Sequence, residues 1–145
     1  MVDGCRFCGY IERERSLIVA EETPWVLGHV DRRWPLGSLY LVYRHHALVS
    51  DISGEDWRAA APLMALASRL VRDAGGAERV YMLSFTEGER PHFHLLFFCK
   101  TRELAERYDG AKALSLAGQV DEPMDKEAAL EIVQRYRWAA EPREP

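Results

Sequence analysis

The sequence predicts an α+β domain: an antiparallel sheet of about five strands, with a main helix packed on one face and a C-terminal helix. Three observations carry this. Residues 90–99, Arg-Pro-His-Phe-His-Leu-Leu-Phe-Phe-Cys, form an apolar strand signal in which side chains alternate between two faces. The other strand-like segments are joined to their sequence neighbours by short turn-forming intervals, which favours antiparallel pairing. Residues 54–74, and a stretch from about residue 125, instead place apolar side chains at helical spacing.

At 145 residues and 48% hydrophobic, the chain fits one domain, 1–145, with a core over about 5–100 and a C-terminal extension carrying a helix over about 125–139. The net charge of −4 argues against an extended nucleic-acid surface and leaves room only for a local basic pocket suited to a small phosphate compound. The N-terminus is polar, and no apolar run approaches the roughly 20 residues a membrane span needs. A cytoplasmic protein without a membrane partner is expected. Three cysteines, an odd number, argue against a disulfide framework there and leave Cys5 and Cys8 for metal or redox chemistry.

In chain order, residues 1–11 put Cys5 and Cys8 on a tight turn between Gly4 and Gly9. Such a knuckle supplies half of a tetrahedral zinc site. The redox alternative needs a βαβ context, whereas the segments C-terminal to the knuckle read as antiparallel strands. Residues 16–21 and 25–31 form a hairpin across Glu22-Thr23-Pro24. In the loop after it, Arg32 and Arg33 can meet phosphate and Trp34 can stack on a base, or the loop is simply solvated with one anchoring aromatic. Residues 38–44 are a third strand ending at His45-His46, only one of which can readily face a given site.

Ser53 is the expected N-cap of the main helix, with Asp56 completing a weak capping box. Ala60, Leu63, Met64, Ala67, Leu70 and Val71 form its core stripe, Pro62 should kink it, and Gly75-Gly76 should end it. Residues 79–85 form a fourth strand, hairpinned to the histidine strand through a polar turn over 86–90 that contains Gly88. A short helix over 102–108 and a loop over 110–120 come next. The last helix begins at about Asp125, with Ala129, Ile132, Val133 and Tyr136 on one face and Pro142 beyond its end.

On the histidine strand, His92, His94, Leu96 and Phe98 share one face, and Phe93, Leu95, Phe97 and Cys99 the other. The wholly apolar face wants the main helix, leaving the histidine face for chemistry. Cys5, Cys8, one of His45 or His46, and His92 make a closed Cys2His2 zinc set, which is structural in character. His94 is then left as a nucleophile: with Nδ1–H held by a carbonyl, Nε2 presents a lone pair able to attack phosphorus. The competing arrangement uses His92 and His94 together on an open, water-activating zinc.

Cys5-Arg6-Phe7-Cys8 resembles the Cys-x-Phe-Cys opening of many histidine triad (HIT) proteins, and Pro91-His92-Phe93-His94-Leu95-Leu96 resembles their signature His-φ-His-φ-His-φ-φ, where φ is hydrophobic. The likeness runs from Cys5 to about Phe98 with strands and helix in the same order. It implies the HIT-like fold, zinc on Cys5, Cys8, His46 and His92, and His94 as the nucleophile that takes a nucleoside monophosphate from a nucleotide or nucleotide conjugate. It implies a homodimer as well. Trp34, Ser38 and Arg90 are the expected substrate contacts. The chain departs from the pattern where the third histidine is Leu96 and where the usual histidine before strand three is Ser38. The enzyme reading, a nucleotide hydrolase or nucleotidyltransferase, therefore stands beside a second: a weak or inactive zinc-stabilised module that binds a nucleotide or a protein.

Overall fold

A computed structural model describes residues 2–32, 34–87, 89–108, 110, 112 and 124–141. Its strands are β1 (Ile18–Glu22), β2 (Trp25–His29), β3 (Leu39–Tyr43), β4 (Arg79–Leu83) and β5 (His94–Lys100), and its helices are α1 (Arg6–Arg13), α2 (Gly54–Arg69), α3 (Arg102–Arg107) and α4 (Lys126–Ala140). The strands form one antiparallel sheet in the order β1-β2-β3-β5-β4. Both expected hairpins are present, and β5 lies between β3 and β4, so the histidine strand is central.

The face bearing Phe93, Leu95, Phe97 and Cys99 joins Trp25, Leu27, Leu39 and Leu41 and is covered by Ala60, Leu63, Ala67, Leu70 and Val71 of the main helical segment. Ser53 caps α2: its Oγ accepts from the Asp56 backbone N–H at 3.1 Å, satisfying one free donor of the first turn. Pro62, where a kink is expected, lies inside α2 without interrupting it. The departure from α geometry comes later, as a π-turn over Leu70–Ala74 in which Gly75 N–H reaches the Leu70 carbonyl at 2.8 Å. Gly76, at φ +72°, then turns the chain toward β4.

The other face differs from expectation. Residues 6–13 are helical, not a turn, and Phe7, Tyr10 and Ile11 of α1 pack against Val26, Tyr40, Val42, Leu96 and Phe98. Their spacing of three and four residues is the reason: it makes one apolar stripe, which the sheet buries. α4 begins at its Asp125 cap as expected and contributes Ala129 and Val133 to this core, while Tyr136 joins the opposite one. Arg137 fastens α4 to β1 by donating to the Ile18 carbonyl from Nε at 2.9 Å. The histidine face is thus largely covered; His94 itself is buried, and a cleft reaches it. Arg33, Gly88, most of the 110–120 loop and Pro142 lie outside the described residues. No helix among the described residues is long and apolar enough to cross a membrane.

Candidate functional site

Cys5 stands at the N-cap of α1 and Cys8 one turn into it, so the helix presents both thiols on one side. The end of β3 delivers His46, and the residues leading into β5 deliver His92. One ligand atom from each of these four residues lies within 4.8 Å of the other three, a set able to hold a metal ion. Two further details fit a metal. His92 Nε2–H donates to the Tyr43 carbonyl at 2.6 Å, which leaves the Nδ1 lone pair facing Cys5 Sγ at 3.3 Å and Cys8 Sγ at 3.6 Å. A carbonyl behind a ligating imidazole is the usual device for fixing its tautomer. His46 Nδ1 is buried without a hydrogen-bond partner among the described residues, an orphan that a cation would satisfy. His45, one residue earlier, is exposed and sits edge-on to Tyr43 instead.

His94 stands two residues beyond His92 on the same face, at the start of β5. Its Nδ1–H donates to the His92 carbonyl at 3.0 Å, so Nε2 carries the lone pair. Nδ1 is therefore committed to the backbone, and His94 stays outside the four-residue metal set. Burial, foremost, brings the imidazole pKa down to about 4, leaving it neutral at physiological pH. Ser84 Oγ donates to the His94 carbonyl at 3.0 Å and steadies its backbone. A neutral, oriented imidazole of this kind can act as a nucleophile or accept a proton.

His94 opens on a cleft of about 240 Å³ that Arg6, Phe7, Trp34, Tyr40, Arg90 and Leu96 help to line. Of the expected substrate contacts, Trp34 and Arg90 reach it. Trp34 is largely buried, with its ring edge-on to Phe98 at 6.0 Å. Ser38 does not line the cleft: it is fully buried in the sheet, where its Oγ accepts from Cys99 N–H at 3.0 Å. Three side chains go unnoticed when the sequence is read as strands and a knuckle. Phe7 stacks on His94 with ring centroids 3.9 Å apart. Tyr40 sits edge-on to the same imidazole at 5.8 Å. Arg6 donates through Nη2 to Tyr40 Oη at 3.0 Å and to Asp31 Oδ1. The i, i+3, i+4 spacing of Phe7, Tyr10 and Ile11 is the signal that would have turned Arg6 and Phe7 toward the sheet.

No protein-family model and no curated protein sequence matches the chain. Solved structures do. A hypothetical histidine triad nucleotide-binding protein from Sulfolobus tokodaii superimposes with a TM-score of 0.69 at 17% identity, over 93% of this chain and 91% of that one. A Hit-like protein involved in cell-cycle regulation from Bartonella henselae gives 0.67 at 16% identity, over 95% and 98%. A Zn-bound histidine triad family protein from Mycobacterium smegmatis gives 0.64 at 14% identity, over 94% and 92%. These likenesses extend over nearly the whole chain and agree with the five-stranded sheet and its helices: the chain has the histidine triad fold.

Proposed function

We propose that this protein is a nucleotide hydrolase or nucleotidyltransferase that works through a nucleotidyl-histidine intermediate on His94. The observation carrying the reading is the single bond of Nδ1–H to the His92 carbonyl, which leaves the Nε2 lone pair free on a neutral imidazole whose residue lines the cleft. Nε2 attacks the phosphorus of a nucleotide conjugate, the N–P bond forms, and the P–O bond to the leaving group breaks. The leaving group departs with that bonding pair and takes its proton from solvent. Water, or a second acceptor hydroxyl, then attacks the phosphorus and gives up its proton to solvent, and the N–P electron pair returns to Nε2. Leu96 offers no hydrogen bond where the family pattern has a third histidine, so turnover is slow.

Cys5, Cys8, His46 and His92 would hold a zinc ion, whose contribution is to tie the N-terminal helix to the ends of β3 and β5. The nucleotide-binding histidine triad protein of Sulfolobus tokodaii and the Zn-bound one of Mycobacterium smegmatis, similar in fold, support both halves of the reading. A homodimer fits as well, because β4 is an outer strand with Met82 and Phe85 exposed on and beside it.

A second reading has its own observation. The Phe7 ring lies directly on His94, and Leu96 lines the cleft with an apolar side chain, as suits a module that binds a nucleotide without turning it over. His94→Ala separates the two. Loss of turnover with nucleotide affinity retained supports the enzyme. A wild-type protein that binds nucleotide and cleaves no conjugate supports the module.

A further inference from the structure

We propose that Arg6 is the anion anchor of the cleft, binding the phosphate of the ligand beside His94; this rests on the reading of the cleft as a nucleotide site. The family pattern leaves the residue between Cys5 and Phe7 unspecified, so the motif assigns Arg6 nothing. The structure gives it a place. The guanidinium carbon lies 4.7 Å from the Phe7 ring centroid, and that ring lies 3.9 Å from the His94 imidazole, so the phenyl ring touches both groups, and all three residues line the cleft. Tyr40 flanks both groups as well, 5.5 Å from the Arg6 guanidinium and 5.8 Å from His94.

Arg6 is held but not used up. Nη2 alone makes its two bonds, to Asp31 Oδ1 and to Tyr40 Oη. The side chain remains 35% exposed. Nε is buried with no partner among the described residues. With Nη2 bonded and Nε sealed from solvent, the exposed third of the side chain is the part an anion can reach. Asp31 and Tyr40 fix the rotamer in advance, so little side-chain freedom is lost when an anion arrives. The Phe7 and Tyr40 rings against the guanidinium shield part of it from water, which strengthens its attraction for an anion. Arg90, the other cation among the described residues of the cleft, is exposed and rides on the turn that also carries Glu87, so it lacks this preparation. The ligand class is a compound with a terminal or bridging phosphate. A guanidinium beside the phosphoryl oxygens would supply there the charge that Leu96 and the buried Ser38 cannot.

The test is binding of inorganic pyrophosphate, AMP and adenosine, by calorimetry, to the full chain and to Arg6→Gln, Arg6→Lys and Asp31→Asn. Loss of charge-assisted hydrogen bonds should weaken pyrophosphate and AMP about ten- to hundredfold in Arg6→Gln, while adenosine is unaffected and Arg6→Lys recovers part of the loss. Asp31→Asn keeps an oxygen acceptor for Nη2 but removes the competing negative charge, so pyrophosphate should bind as tightly or more tightly. This arm decides even if Arg6→Gln fails to fold. Equal pyrophosphate affinity in Arg6→Gln overturns the proposal, as does weakening by Asp31→Asn, which would make Arg6 a structural strut. Wild-type protein that binds pyrophosphate through Arg6 but not AMP refutes the nucleotide reading and leaves Arg6 assigned. AMP binding that ignores Arg6 does the reverse.

Discussion

Replacing Leu96 by histidine restores the third residue of the triad pattern, and the structure allows its cost to be worked out. Leu96 is 2% exposed, pairs across the sheet with Tyr40 and Leu83, and packs among Tyr40, Val42 and Phe98. A buried leucine side chain contributes about 1.5–3 kcal/mol, and an imidazole carries enough carbon to recover part of that. Its ring nitrogens, however, would enter the packing among Tyr40, Val42 and Phe98, and each buried polar atom left without a partner costs about 1–3 kcal/mol. The sum is roughly 3 kcal/mol. For a chain of this length about 1 kcal/mol lowers Tm by roughly 2–4 °C, so Leu96→His should melt some 6–12 °C early by circular dichroism. Leu96→Met, which conserves volume, should cost under about 1.5 kcal/mol. If Leu96→His melts with the wild type, position 96 has room and polar partners, and the cost assigned to burying the imidazole is wrong.

The purified protein should hold about one zinc per chain by plasma mass spectrometry, and Cys5→Ser should lower both zinc content and Tm; full stability in strong chelator with no metal bound would contradict the site. Cys99 is fully buried, its Sγ–H aimed at the Gly75 carbonyl at 3.7 Å, and burial pushes its thiol up to about 11. Because the thiolate is the reactive form, iodoacetamide at pH about 8.5 should label Cys99 only after denaturation, as read by peptide mapping. The folded state favours the thiol, so this stabilisation is complete below the unfolded-state value of about 8.5 and is lost as pH rises toward the folded one. Light scattering should give a homodimer mass, with Met82→Lys on the outer strand shifting it toward monomer; a monomeric wild type would refute the assembly.

The alternating pattern of residues 92–99 was readable because a strand repeats every two residues, and both faces lie where that period puts them. The gathering of Cys5, Cys8, His46 and His92 was readable from residue chemistry and the family pattern, although nothing in the spacing alone distinguished His46 from His45. α1 was hidden because two cysteines and two glycines look like a turn, and the apolar stripe inside them is only one turn long. Arg6 and Phe7 disappeared with it. Ser38 shows a different limit. Its family position suggests contact with the ligand, but a hydroxyl is short enough to accept from the neighbouring strand, and the Cys99 N–H takes it into the sheet. No linear pattern records that choice.

The most direct test of His94 as nucleophile is acid- or denaturant-quenched mass spectrometry of the full chain after mixing with a panel of dinucleotides and aminoacyl-type nucleotide conjugates. A covalent nucleoside monophosphate should appear on the peptide containing His94, localised to that residue, and should be absent from His94→Ala while this variant still binds nucleotide. Conjugate cleavage by His94→Ala at the wild-type rate, or an adduct on another residue, would contradict the account.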